Sequence, residues 1–117
     1  MAWRRRIAKP VALYLATRYY SLVYVISRKA LRDFWERYPH SQAPLIRWYK
    51  IIEQTDFVSF SDLRQTFPAA DLVDDLVVFN IGGNKYRLIA SVHFNRSKVY
   101  VRHVLTHQEY DRAEWKK

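Results

Sequence analysis

Apolar and polar positions alternate in two different rhythms along this chain, and the change of rhythm divides it into a helical first half and a β-rich second half. Leu22 to Ile26, LVYVI, is a short β-branched and aromatic run that predicts a strand. Ser27 stands where it can cap a helix beginning at Arg28, whose Ala30, Leu31, Phe34, Trp35 and Tyr38 form one apolar stripe. Pro39 ends that helix, because its ring removes a donor and pushes the preceding residue out of helical geometry. A second helix is expected from Gln42 or Ala43 to Glu53, with Pro44 tolerated in its first turn and Leu45, Trp48 or Tyr49, and Ile52 on the buried side. Thr55 to Ala70 reads as ordered but irregular, with Ser61 capping one brief turn before Pro68.

From Leu76 the period becomes two, and Leu76 to Ile81, Lys85 to Phe94 and Lys98 to Thr106 read as consecutive antiparallel strands. Tight turns at GGN (82–84) and at Asn95-Arg96 separate them. A short helix from about His107 to Trp115 closes the chain, with Thr106 as a possible N-cap. The order β-α-α-β-β-β-α predicts an α+β fold, with the helices packed on one face of a small antiparallel sheet. In the middle strand Tyr86, Leu88, Ala90, Val92 and Phe94 belong to the core face, and Lys85, Arg87, Ile89, Ser91 and His93 to the other. An even loop at Asn95-Arg96 would set Arg87 opposite Val104 and on the face of Tyr100, Arg102 and Thr106; a slip of one residue would separate them. A two-residue turn at GGN puts Asn80 on the face of Lys85 or Arg87.

With 117 residues, half of them hydrophobic, the chain can bury one core, and residues 21–117 read as one domain. Lys and Arg outnumber Asp and Glu 20 to 11, so an anionic partner is expected, nucleic acid first. Arg4, Arg5, Arg6, Lys9 and Arg18 put five positive charges in the first twenty residues, which read as a basic extension outside the core. The run PVALYLA is short and broken by Arg18, which argues against a secretory signal, and nothing approaches the roughly 20 apolar residues of a membrane span. The absence of cysteine excludes disulfides, thiol nucleophiles and thiolate metal sites and is compatible with the cytoplasm.

These patterns place candidate chemistry at one end of the sheet. Lys85, Arg87 and Arg102 can hold a phosphate, arginine bidentately, while His107 and Tyr110 can move protons. That set suits scission of RNA by its own 2′-hydroxyl, which needs a base, an acid and cations for the developing phosphorane charge, and requires neither metal nor cofactor. Blander readings stand beside it. Arg87 is alternatively a solvated strand residue or a partner of Asp74 or Asp75, and Tyr110 alternatively packs beneath the sheet with Trp115. His40, His93 and His103 read as structural or surface residues, and the aspartates as turn and solubility residues. Arg28, Lys29 and Arg32 are either a solvated helix face or a contact for RNA phosphates.

The segments GGNKYRLIASVHF and VYVRHVLTHQEYD, together with VISRKALRDFWERYP and DLVVFN, resemble the HigB branch of the RelE/ParE-like toxins over about residues 22–112. The resemblance implies a RelE-like fold and a cytoplasmic, ribosome-dependent messenger-RNA endonuclease, restrained by a HigA antitoxin with a helix-turn-helix domain. It also implies that Arg87 grips the scissile phosphate, that Lys85 and Arg102 flank it, and that His107 and Tyr110 form the C-terminal catalytic pair. Asn80, Asn84, Arg28, Lys29 and Arg32 are then RNA contacts. In RelE itself an arginine aligns with His107. The rival reading on the same fold is non-catalytic: RNA binding, or the gyrase poisoning of ParE relatives.

Overall fold

Residues 24–116 are described by a computed structural model; the expected extension 1–20 and the first two residues of the expected opening strand lie outside them. The elements are β1 (Tyr24–Ile26), α1 (Arg28–Arg37), a 3₁₀ turn (Pro39–Ser41), α2 (Gln42–Gln54), α3 (Phe60–Thr66), β2 (Asp71–Val73), β3 (Leu76–Ile81), β4 (Tyr86–His93), β5 (Lys98–Thr106), α4 (His107–Asp111) and a closing 3₁₀ turn (Glu114–Lys116). The expected α+β fold is therefore present. The sheet order is β1-β5-β4-β3-β2, with β1 parallel to β5 and every other pair antiparallel.

The helical half follows its apolar stripes. Leu31 and Phe34 of α1 and Leu45, Trp48 and Ile52 of α2 are buried against Val77, Phe79, Leu88, Ala90, Val99 and Val101 of the sheet. Aromatic edges lock the contact: Trp48 and Phe67 both meet Phe79 edge-on, at 5.3 and 5.1 Å between ring centres, and Tyr86 meets Phe34 at 5.5 Å. The chain leaves α1 at Tyr38, as Pro39 requires. At the other end Ser27 takes a left-handed conformation (φ 79°) and its side chain makes no capping bond, contrary to expectation.

Two elements depart from the sequence expectation. The connection after α2 contains a true helix, α3, capped by Ser59 rather than Ser61. Ser59 Oγ accepts from the Asp62 backbone N–H (3.1 Å) while the Asp62 carboxylate accepts from the Val58 N–H (3.1 Å). The acidic approach to β3 is also a strand, β2, folded back through a two-residue turn at Asp74 and Asp75. Both residues have positive φ (50° and 70°), the geometry that matches hairpin twist. Aspartate tolerates this conformation through its short polar side chain, so Asp74 and Asp75 are the turn residues expected, and what the sequence did not announce is the strand before them.

The central strand β4 is buried on both faces. Leu88 and Ala90 belong to the main core, while Ile89 on the reverse packs with Val78 and Trp115 under partial cover from Leu76, Leu105 and Tyr110. The C-terminal segment thus acts as the lid of a second, smaller core. Thr106 starts it with a capping box: its hydroxyl accepts from Glu109 N–H (3.2 Å) and Glu109 Oε1 accepts from Thr106 N–H (2.9 Å). The helix stops at Asp111, earlier than expected, and a 3₁₀ turn carries Trp115 under the sheet.

Two stability outcomes follow. Leu88→Ala, at a fully buried position, is expected to lower unfolding free energy by about 2–5 kcal/mol, whereas Leu72→Ala, at a half-exposed position on the edge strand, should change it by no more than about 0.5 kcal/mol. Urea denaturation measures both, and equal losses would contradict the placement of the core. Thr106→Ala should cost about 1 kcal/mol and speed amide exchange in α4 before that of β4.

Candidate active site

The β3–β4 turn, the first residues of β4 and the start of α4 meet at one end of the sheet's second face. Gly82 and Gly83 both have positive φ (63° and 70°), which lets the chain reverse through four residues, 82–85, rather than the two expected. Asn80 nevertheless pairs directly with Arg87, so the expected shared face is present. The Lys85 carbonyl accepts a hydrogen bond from the His107 backbone N–H (2.9 Å), which ties the start of α4 to the turn. Lys85 itself is exposed, and its ammonium has no partner among the described residues. Arg87 is the centre of the group.

Although charged, Arg87 is only 8% exposed. Its Nη1 donates to the Asn84 carbonyl (3.3 Å) and the Tyr86 carbonyl (3.1 Å), and its Nη2 donates to Asn84 Oδ1 (2.6 Å). The guanidinium lies over the Tyr110 ring, 5.5 Å from its centre, and Tyr110 in turn stacks on Trp115 (5.3 Å, 14° between planes). Trp115 Nε1–H donates to the Tyr110 carbonyl (3.1 Å), so the stack is fixed at both ends. Of the five guanidinium donors three are engaged; the Nε–H and one Nη2–H have no acceptor among the described residues. These two form the fork that a phosphate accepts bidentately.

His107 is the next polar group along α4. Its side chain is 43% exposed, and its Nε2 lies 3.2 Å from the Asp111 carboxylate one turn on. Its Nδ1 is buried and without a hydrogen-bond partner among the described residues. Nε2 is therefore the ring atom that faces outward, held by Asp111, while Nδ1 is turned into the protein.

Arg102 does not join the group, which corrects the expected register. The loop between β4 and β5 is even, and from His93↔Lys98 to Ala90↔Val101 the pairing is the expected one. A β-bulge then inserts Arg102 between Val101 and His103, so that Arg87 pairs with Leu105 rather than Val104. Tyr100 keeps the face of Arg87, Thr106 turns to the other face beside Tyr86, and Arg102 is exposed about 10 Å along the strand from Leu105. The bulge lets apolar residues stay inward on both sides of it, Val99 and Val101 before, Val104 after.

The α1 basic residues form a separate group. Lys29 pairs with Asp33 (2.8 Å) on the surface, and Arg28 donates to the Tyr49 hydroxyl (3.1 Å), which donates to Glu53 (3.0 Å). Partial burial and the bond to Glu53 push the Tyr49 phenol up from its ordinary value, with Arg28 acting in the opposite sense. Arg32 is exposed beside a cavity of about 300 Å³ bordered by Leu31, Trp35 and Tyr49. No hydrogen bond or ion pair joins Arg28, Lys29 or Arg32 to Arg87, His107 or Tyr110. Among the described residues no three His, Cys, Asp or Glu side chains gather as a metal-binding group, and no helix is long and apolar enough to cross a membrane.

Sequence reasoning missed Asp111 as a support of this site, whereas the packing of Tyr110 with Trp115, the alternative it weighed for Tyr110, is present. The Thr-x-x-Glu spacing of Thr106 and Glu109 was a usable signal, because a helix starting at His107 places Asp111 one turn later on the same side.

Residues 41–113 match the HigB_toxin family, described as the RelE-like toxic component of a toxin-antitoxin system. The mRNA interferase toxin HigB of Escherichia coli K12 is 38% identical over 92 residues, covering 76% of this chain and 88% of the relative. The mRNA interferase HigB of Shigella flexneri matches to the same extent. That of Escherichia coli O6:H1 (strain CFT073) is 30% identical over 93 residues, 77% of this chain and 90% of the relative. With the RelE-like α+β fold and a match over most of its length, this chain belongs to the HigB toxin family.

Proposed function

We propose that this chain is an mRNA interferase, an endoribonuclease that cuts messenger RNA on the ribosome in the cytoplasm, with residues 21–117 as the toxin domain and residues 1–20 outside it. The observation that carries the reading is the half-occupied guanidinium of Arg87, held by Asn84 and Tyr110 with a two-donor fork left for a phosphate. The names of the relatives support the same activity.

In the proposed reaction a base takes the proton of the 2′-hydroxyl, and the 2′-oxygen attacks the adjacent phosphorus. The bond to the 5′-oxygen breaks, an acid protonates that oxygen, and a 2′,3′-cyclic phosphate remains. Arg87 and Lys85 hold the phosphorane charge. His107 and Tyr110 supply the base and the acid, with RNA displacing Asp111 from the imidazole. Asn84 fixes Arg87, and Asn80 contacts RNA beside it. Arg102, exposed at the bulge, and Arg28, Lys29 and Arg32 on α1 add the positive surface for messenger and ribosomal RNA phosphates. The antitoxin implied by the family is a HigA-type helix-turn-helix protein.

Purified protein on translating ribosomes, followed by primer extension, tests the activity. Specific cuts are expected, with Arg87→Ala and Arg87→Lys each slowing them by about 10²–10³-fold, because lysine lacks the fork. Intact messenger beside stalled gyrase would sink this reading in favour of a ParE-like poison. The proton roles separate on a substrate with sulfur in place of the bridging 5′-oxygen. Such a leaving group needs no acid, so it should restore cleavage to whichever of His107→Ala and Tyr110→Phe removes the acid, and not to the other.

A further inference from the structure

The sheet face that carries Arg87 continues beyond the C-terminal segment toward the turn between β4 and β5. Cross-strand partners share a face, and the register sets Ile89 beside His103, Ser91 beside Tyr100 and His93 beside Lys98, all on the side of Arg87. Trp115 and Tyr110 take the near part of this face, around Ile89 and Val78. The far part is polar and aromatic. There the bulge has a second consequence: Arg102 alternates away from the inward Val101, and His103 pairs with Ile89. Two consecutive residues, a guanidinium and an imidazole, therefore lie on the face of Arg87.

Two features separate this region from an ordinary solvated surface. The first is charge: from Leu76 to Gln108 the three strands and their turns contain no Asp or Glu, while Lys85, Arg87, Arg96, Lys98 and Arg102 each bring a positive charge. The side chains of Arg96, Lys98 and Arg102 make no ion pair or hydrogen bond among the described residues. A surface of one sign, with no counter-charge on the same strands, draws anions to it. The second is aromatic: His93 and Tyr100, both half-buried, meet edge to face, with 5.1 Å between ring centres and 83° between planes. Ser91 Oγ lies 3.3 Å from His93 Nε2 and steadies the imidazole. A perpendicular contact holds both rings and leaves ring faces that the partner does not cover. Fixed flat faces set among cations suit the alternating bases and phosphates of a single strand. A duplex keeps its bases stacked inside, and an acidic peptide gives the rings no role.

We infer that this face is a track for single-stranded RNA leading away from the scissile phosphate, with Arg102 and Lys98 on backbone phosphates and the His93–Tyr100 pair stacking a base. The inference rests on the RNA-cleaving reading above and deepens it by giving the messenger a second anchor on the same sheet. Ser91 and Tyr100 stand four residues along β4 from Arg87, about 13 Å, and His93 and Lys98 six residues, about 20 Å. Those distances exceed one nucleotide. The track therefore acts on binding and register, not on the reacting atoms.

The test follows the fluorescence anisotropy of a short labelled 2′-O-methyl RNA on the full chain, a strand that lacks the attacking hydroxyl and so reports binding without cleavage. Arg102→Ala and Tyr100→Leu should each weaken it about five- to tenfold. Arg102→Ala should also reduce the slope of log affinity against log salt by about 0.7. Lys50→Ala, which removes an exposed charge from α2, should change the affinity by less than about twofold. The track is overturned if either Arg102→Ala or Tyr100→Leu binds like the unmodified chain, or if Lys50→Ala loses as much. It is overturned too if poly-glutamate binds as tightly and loses as much in Tyr100→Leu, which would mark an acidic protein segment as the occupant. Should Tyr100→Leu not fold, the His93 ring signals of the unmodified chain take its place: the RNA should move them and poly-glutamate should not, and the reverse sinks the track. A chain that passes these measurements but cuts no messenger keeps the track and loses the reading above; one that cuts normally and fails them loses the track alone.

Discussion

Strand β4 is apolar on both faces, with Leu88, Ile89 and Ala90 all fully excluded from solvent, and much of the molecule's arrangement answers that requirement. One face is covered by α1 and α2. Among the described residues the other is covered by the C-terminal segment, whose Trp115 and Tyr110 lie beneath the sheet. Burying Ile89 in this way brings α4 to the end of β4, where Arg87 begins the strand. The functional group is therefore adjacent to the second core for the same reason that the second core is complete.

Arg87 illustrates how a charge can be kept nearly out of water at modest cost. Its plane rests on an aromatic stack, and one side of it is satisfied by Asn84 and a backbone carbonyl. A lysine there would have no flat face to lay on Tyr110 and no fork to divide between protein and ligand. The same economy of position explains Asn84. It stands in the turn created by two positive-φ glycines, where its carbonyl and amide oxygens both face the guanidinium. Preorganisation of this sort is what an electrostatic catalyst requires, since the donors need not move when charge develops.

Local chemistry was legible in the residues. The apolar stripe ending at Pro39 marked α1, period-two alternation marked β3, β4 and β5, and the quoted motifs carried the family. The turn composition left Asn80 on the face of Lys85 or Arg87, and the structure selects Arg87 through a turn longer than expected. Ser27 failed as a cap because a positive-φ backbone turns its side chain away from the first helical amides, something no residue preference announces. The β2 hairpin was hidden because Asp74 and Asp75 suggest a solvated turn whether or not strands flank it.

Periodicity, turn residues and charge thus specified the element types and the helix-bearing face of the sheet, since each depends on neighbours a few residues apart, and the succession of hairpins set Arg87 and the start of α4 at the same end of the sheet. Long-range packing alone set the parallel pairing of β1 with β5, the bulge that removes Arg102 from the group, and the Tyr110–Trp115 stack beneath Arg87. A bulge costs one unpaired residue and is stable only because Val101 and Val104 both remain inward, a gain that exists once the two cores are assembled and not before.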